Sequence, residues 1–333
     1  MQQVLITGGA GFIGSHLQDA FLNLGFKVVI FDDLSWGERD NVDSRAVFIR
    51  GSVLDLDSLL LVMSQHSFDL VVHCAASLEV TLSQESPAVD LDLNTRGTIN
   101  VLEGMRKSGI SRLVDFSSAC VYGFGEVGMM PSSVSESPVQ PQWGYGSSKA
   151  SAEIYTLQYA KTYGFCVTNY RPGIICGPRE WYGRALTVFL NRALSGEKLV
   201  VFGDGRQERD FTHVAEVPRI VTAELDKRPN SGGVKTYNIG TGVATAISDL
   251  AAMIGKKLDV DIDFENLREG AISNKVAGRV RLPFEMQSMR LEMQNAKDDF
   301  GFSPKYSLGE ILDDEIDWLG SVDMAKWSSR FKV

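Results

Sequence analysis

Tyr145 and Lys149 stand four residues apart in "QWGYGSSKASAEIY". On a helix that spacing puts both side chains on one face. An ammonium beside a phenol stabilises the phenolate and draws its pKa down from about 10, which makes the pair a candidate acid/base. No other tyrosine in the chain has a lysine four positions later. The same spacing also fits the first turn of a surface helix, so the rest of the chain has to decide. A second candidate is "VLITGGAGFIGSH", where Gly8, Gly9, Gly11 and Gly14 join an apolar strand to a helix. Such a loop lets backbone N–H groups approach a pyrophosphate at the positive end of the helix. Asp32 closes the next strand, "VVIFDD", 18 residues after Gly14. A carboxylate there accepts hydrogen bonds from ribose hydroxyls and repels a 2′-phosphate, which points to NAD rather than NADP. Ser117 and Ser118 follow the strand "RLVDF", at the carboxyl edge where open α/β sheets bind ligands.

The elements that must position these residues alternate along the first half. "QQVLITG", "KVVIFDD", "VFIRGSV", "LVVHCAA", "RLVDFSS" and "FCVTNYRP" read as strands. Helices are expected over residues 14–24, 86–108 and 145–163, each followed by a glycine (Gly25, Gly109, Gly164) that can cap it. Continuous rather than alternating apolar strands imply a sheet covered on both faces. The expected fold is a Rossmann-type, doubly wound parallel α/β sheet with a smaller, irregular C-terminal α/β lobe. Residues 1–172 would form the cofactor-binding domain and 173–333 the substrate lobe. Parts of 208–245, "RDFTHV" and "TYNIG", would return to the first domain. Helices are expected near 184–195, 214–226 and 246–254, and the last 15 residues carry no clear signal.

With 333 residues, 44% of them hydrophobic, the chain can bury a large core. A net charge of −9 argues against a nucleic-acid or anionic-membrane partner. The N-terminus runs straight into a strand, which leaves no room for a signal peptide. No apolar run approaches the ~18–20 residues that span a bilayer. Cys74, Cys120, Cys166 and Cys176 form no CxxC pair and have no histidines at ligand spacing, so no metal is expected. Apolar neighbours suit free thiols in a reducing cytosol, hence a cytoplasmic protein.

"TGGAGFIGSH", "VVHCAASLEVTLSQESP", "NTRGTINVLE", "FSSACVYG", "YGSSK" and "GDGRQERDF" occur in that order. Over about residues 1–315 the chain thereby resembles the extended short-chain dehydrogenase/reductases of the NAD-dependent epimerase/dehydratase family, and within them the UDP-glucose 4-epimerases. The resemblance implies that Tyr145 is the catalytic acid/base, Lys149 its partner, and Ser118 the serine that holds the reacting sugar hydroxyl. It implies an NAD site that adds Phe12, Ile13, Asp33, Ser35 and Gly37 to Gly8, Gly11, Gly14 and Asp32. Ser52, Val53, Cys74, Ala75 and Ala76 continue it, and Asn94, Ser117, Tyr145, Lys149 and Pro172 complete it on the nicotinamide side. For the substrate, a UDP-sugar by resemblance, it implies Arg209 and Arg281 on the diphosphate, Val200 and Phe202 against the nucleobase, and Ile174, with Ser118 and Tyr145 at the sugar. Relatives pair as homodimers through helices that here span about 86–108 and 145–163.

Between Ser118 and "VYG", the 4,6-dehydratases carry an Asp-Glu pair and sugar-acid decarboxylases a nearby glutamate. This chain has Ala119 and Cys120. The resemblance therefore implies a closed redox cycle at sugar C4, a 4-epimerisation through a 4-keto sugar. A nucleotide-sugar dehydrogenase or ketoreductase is the alternative within the family, and a non-catalytic NAD-binding sensor the alternative outside it. Cys120 is either a buried structural thiol or an acid/base, as in GDP-sugar 3,5-epimerases. Two departures stand out: Ile174 replaces the asparagine of "NVYGP", and Ser52 an aspartate near the adenine.

Overall fold

The computed structural model describes residues 2–78, 80–123, 125–127, 129–227, 232–268, 270–276, 279–281 and 285–329. The strands of the first half are β1 (Gln3–Thr7), β2 (Lys27–Asp32), β3 (Val47–Arg50), β4 (Leu70–His73), β5 (Arg112–Phe116) and β6 (Cys166–Pro172). Short strands follow: β7 (Ile174–Cys176), β8 (Leu199–Phe202), β9 (Glu208–Arg209), β10 (Phe211–His213), β11 (Gly233–Ile239), β12 (Thr245–Ala246) and β13 (Ile262–Glu265). Seven of them form one parallel sheet in the order β11-β6-β5-β4-β1-β2-β3. The chain winds outward in both directions from β1, so its carboxyl end, beside that of β4, is the switch point where such sheets bind ligands.

The helices are α1 (Phe12–Asn23), α2 (Leu56–Gln65), α3 (Val80–Glu85), α4 (Pro87–Leu91), α5 (Gly97–Lys107) and α6 (Gly144–Tyr163). Then come α7 (Ala185–Leu194), α8 (Glu216–Lys227), α9 (Ile247–Leu258), α10 (Gln294–Phe300), α11 (Leu308–Leu319) and α12 (Met324–Ser328). Both sheet faces are covered. Val4, Ile6, Leu17, Phe21 and Val72 pack on one side, and Leu5, Val29, Leu59, Leu102 and Val167 on the other. That is why the strands read as continuous apolar runs.

Three expectations change in detail. The helix expected over 86–108 is interrupted by a π-helical stretch, Asp92–Arg96, between α4 and α5. There Thr95 Oγ1 donates to the Ser148 carbonyl at 2.9 Å and Asn94 Nδ2 to Ser148 Oγ at 3.0 Å, tying the stretch to α6. β11 joins the main sheet beside β6, whereas β10 pairs with β7 in a separate two-stranded sheet. The chain end, which offered no clear signal, folds up to Ser329. Asp323 caps α12 by accepting from the Ala325 and Lys326 N–H groups, and the Trp327 indole is buried and donates to the Glu180 carbonyl at 2.6 Å. Among the described residues no helix is long and apolar enough to cross a membrane.

Candidate functional site

A cleft of about 830 Å³ opens at the carboxyl end of β1 and runs into the C-terminal lobe. At its floor lies the glycine loop. Gly8 has φ +70°, and a Cβ there would stand 2.5 Å from the Ala75 nitrogen. A Cβ on Gly14 would stand 2.3 Å from the Gly8 carbonyl oxygen. Any side chain at either position would force the loop away from the sheet. Gly11 precedes α1 without a side-chain cap, so the first N–H groups of this 12-residue helix are free to meet an anion. Asp32 is aimed by the same loop: Oδ2 accepts from Ala10 N at 3.0 Å and Oδ1 from Leu34 N at 2.8 Å. Burial pushes its carboxyl up, and the two N–H bonds pull against that. Each oxygen keeps acceptor capacity for a ribose hydroxyl. Asp33 holds the Ser35 N–H at 2.9 Å. The donor set fits a dinucleotide with unphosphorylated ribose.

Farther along the cleft, α6 presents Tyr145 and Lys149. Alanines and long unbranched side chains favour this helix, and Gly164, with φ +73°, ends it. Its seat is fixed by polar contacts. Ser148 Oγ donates to Asp90 Oδ2 at 2.5 Å, and Glu153 pairs with Arg171 of β6 at 2.6 Å. Arg171 in turn lies over the Tyr122 ring at 4.8 Å, in the turn that carries Ser118. Ser118 Oγ accepts from the Cys120 N–H at 3.1 Å and caps that turn.

The expected effect of Lys149 on Tyr145 does not hold here. Burial pushes the Tyr145 hydroxyl above its usual range, the neighbouring Cys120 adds to this, and a hydrogen bond with Ser118 and the charge of Arg184 oppose it. Lys149 is turned to β5, donating to the Phe116 carbonyl at 2.7 Å. Its charge acts on His73, Cys74, Asp90 and Asp115. The Lys149 ammonium is itself disfavoured by burial. Burial likewise raises the Cys120 thiol, so it is no thiolate at neutral pH.

The structure brings nearly all the expected residues to this one cleft, from Gly8, Gly11, Phe12, Ile13, Gly37 and Val53 to Pro172, Ile174, Val200, Phe202, Arg209 and Arg281. Ser52 and Asn94 stand outside its lining. Ser52 turns back on its own loop, accepting from Leu54 N at 3.4 Å. Asn94 is buried, accepting from Ser77 N at 2.9 Å and donating to Asp90 at 3.0 Å; it braces α6 and does not face the cleft. Arg281 pairs with Glu285 at 3.1 Å. Among the described residues no cluster of His, Cys, Asp or Glu could hold a metal, and the four cysteines are free.

Sequence reasoning missed Arg184, Arg279 and the indoles of Trp36, Trp143 and Trp181 in the lining. Trp36, after β2, stacks on Trp181 with ring centroids 5.1 Å apart and planes at 11°, bridging the cofactor side and the later lobe. No local pattern links residues 145 positions apart. Arg184 sits in "WYGRAL", and its signal is an arginine opening an apolar helix.

The sequence profile of the NAD dependent epimerase/dehydratase family matches residues 4–240. The chain is 30% identical over 319 residues to the UDP-glucose 4-epimerase of Mycolicibacterium smegmatis, covering 92% of this chain and 95% of that one. It is 28% identical over 338 residues to the dTDP-glucose 4,6-dehydratase of Streptomyces niveus, covering 95% and 92%. The crystal structure of Thermotoga maritima UDP-glucose 4-epimerase with UDP-glucose superposes with a TM-score of 0.86 at 31% identity, covering 96% of this chain and 99% of that one. A glycine loop, an aimed Asp32 and a Ser118–Tyr145–Lys149 face in one cleft thus coincide with likeness over almost the whole length, and the chain belongs to the NAD dependent epimerase/dehydratase family.

Proposed function

We propose that this chain is a nucleotide-diphosphate-sugar 4-epimerase of the UDP-glucose/UDP-galactose 4-epimerase type, inverting the C4 hydroxyl between the gluco and galacto configurations. One observation carries the choice of reaction. The turn after Ser118 holds Ala119, which is buried, and Cys120, whose thiol is held protonated. Removal of water from the sugar would need a separate acid and base there. A single hydroxyl relay, Ser118 to Tyr145, suffices for removing and returning one proton at one oxygen.

NAD, the family's cofactor, supplies a hydride acceptor and, in its oxidised form, a positive charge. Gly8, Gly11, Gly14 and Asp32 would hold it, with Asp33, Ser35, Val53 and Cys74–Ala76 along its length. Tyr145 would take the proton of the C4 hydroxyl as hydride leaves C4, and would return it to the same oxygen after the 4-keto sugar has turned over and hydride has come back to the opposite face of C4, with Ser118 holding the oxygen. Burial raises the Tyr145 hydroxyl, and positive charge beside it would oppose that and favour the phenolate that takes the proton. Arg209 and Arg279 suit the diphosphate, with Arg281 beside them held by Glu285, and Val200 and Phe202 suit the nucleobase. Val89, Leu91, Ile154 and Leu157 are exposed on α4 and α6, which supports a homodimer through those helices. Free cysteines support a cytoplasmic site.

The test is purified protein with NAD and a panel of nucleotide sugars, followed at about 340 nm and by proton NMR. A C4 epimer without accumulating reduced cofactor is expected. Reduced cofactor growing in step with a keto or acid product would make the enzyme a dehydrogenase and refute the proposal.

A further inference from the structure

Four guanidiniums line the substrate end of the cleft: Arg184, Arg209, Arg279 and Arg281. Among the described residues, the carboxylate in contact with these arginines on the cleft wall is Glu285, which accepts from Arg281 Nε at 3.1 Å and Gln207 Nε2 at 3.2 Å. The Arg281–Glu285 pair carries no net charge. A nucleotide diphosphate brings two negative charges, which Arg209 and Arg279 match. Arg184 is left over.

Its position sets it apart from the others. Arg184 stands just before α7, and its charge reaches both the Tyr145 hydroxyl and the Cys120 thiol. It lines the same cleft as Ser118, Cys120 and Tyr145, on the wall formed by the later lobe. Nη1 donates to the Ile175 carbonyl at 3.2 Å and the group lies against the Tyr182 ring at 5.3 Å. Among the described residues Nε and Nη2 have no acceptor. The nearest carboxylate oxygen, Glu180 Oε1, is 3.8 Å away, beyond hydrogen-bond range. Burial also holds Glu180 protonated up to about 7. A guanidinium with free fork donors on the cleft wall is built for a planar, bidentate anion.

We infer that Arg184 binds a carboxylate on the reacting sugar, so that the substrate is a nucleotide-diphosphate hexuronate. This rests on the proposed reaction at C4. The C6 carboxylate of a hexuronate hangs from C5, the carbon next to C4, so it lies beside the oxygen that Tyr145 handles. A neutral hexose offers only a hydroxymethyl group there and leaves the guanidinium without its anion, which is the kind of mismatch a polar pocket rejects strongly.

The experiment compares UDP-glucuronate with UDP-glucose on the NAD-loaded protein, by calorimetry for binding and proton NMR for turnover. Wild type is set beside Arg184→Gln and Arg184→Lys. The wild type should prefer the uronate by roughly a hundredfold in Kd, as a desolvated bidentate ion pair provides. Arg184→Gln should lose most of that ratio and Arg184→Lys should keep part of it. Equal wild-type affinities, or binding of neither ligand, overturn the inference. So does a variant that weakens both ligands alike, because Arg184 then serves the diphosphate. Selective uronate binding through Arg184 without a C4 epimer keeps the substrate class and removes the epimerase reading. Epimerisation of UDP-glucose with no uronate preference does the reverse.

Discussion

Glu180 and Glu315 meet in the interior of the C-terminal lobe, and their replacement gives a stability change with a defined sign. Both are fully buried, and Glu180 Oε2 and both Glu315 oxygens have no hydrogen-bond partner. Burial raises each carboxyl, and the charge of Glu180 raises Glu315 further, while Arg184 opposes the rise at Glu180. The folded protein therefore holds protons that the unfolded chain releases from about 4.5 upward. Because the native state binds more protons over this window, stability falls as pH rises from about 4.5 to 7, then levels off for Glu180. The rise of Glu180 from 4.5 to about 7 corresponds to roughly 3 kcal/mol at pH 8. Glu315→Gln keeps the volume and removes one charge from the pair. It should be more stable than wild type at pH 8, by about 1–3 kcal/mol, and nearly equal at pH 5. Urea unfolding of both proteins at pH 5 and pH 8 measures this. Subtracting variant from wild type cancels other titrating groups, such as Asp115, whose carboxyl burial raises to about 6. A difference that does not change between the two pH values would refute the shared buried charge.

The remaining predictions concern the cleft and the chain end. Tyr145→Phe should lower kcat by roughly 10²–10⁴-fold while NAD binding, followed by fluorescence titration, is kept; undiminished turnover would remove Tyr145 as the acid/base. In Gly14→Ala the new Cβ meets the Gly8 carbonyl oxygen at 2.3 Å and Gly9 Cα at 2.7 Å, both backbone. The loop must shift by roughly 1 Å to restore ordinary contact, so the NAD Kd should rise at least tenfold, and an unchanged Kd would mean that the loop does not cradle the cofactor. Trp327→Ala should cost about 3–5 kcal/mol in urea unfolding, because a buried indole and its bond to the Glu180 carbonyl are both lost. Unchanged stability would show that α12 adds nothing to the lobe.

What the sequence made legible was local. Gly8 and Gly14 announce the loop because no side chain can stand where the chain passes so close to itself, a constraint written in the residues themselves. Tyr145 and Lys149 announce their shared face through helical spacing alone. The losses came wherever a property depends on partners distant in sequence. The family resemblance of "NTRGT" implies a place for Asn94 on the nicotinamide side. The π-stretch and the Ser77, Asp90 and Ser148 partners turn it inward instead. Trp327 lay in a tail with no pattern because a single indole on a five-residue helix generates no periodicity.

The Tyr145–Lys149 pair shows the same limit in energetic form. Spacing fixes which groups are neighbours, and on that basis the lysine should lower the phenol. Desolvation is set by everything packed around them, and in the closed cleft it outweighs the pair: the phenol rises and the ammonium is disfavoured together. The two statements meet in function. A phenol that burial holds protonated needs positive charge beside it before it can take a proton. On the proposed reaction the oxidised dinucleotide would bring that charge, and proton removal would be coupled to cofactor occupancy. Arg184 belongs to the same logic, since its charge already acts on Tyr145 and its fork is open toward the sugar end. Filling that fork with a substrate carboxylate would cancel part of its pull on the phenol, so the charge that favours the phenolate would have to come from the dinucleotide.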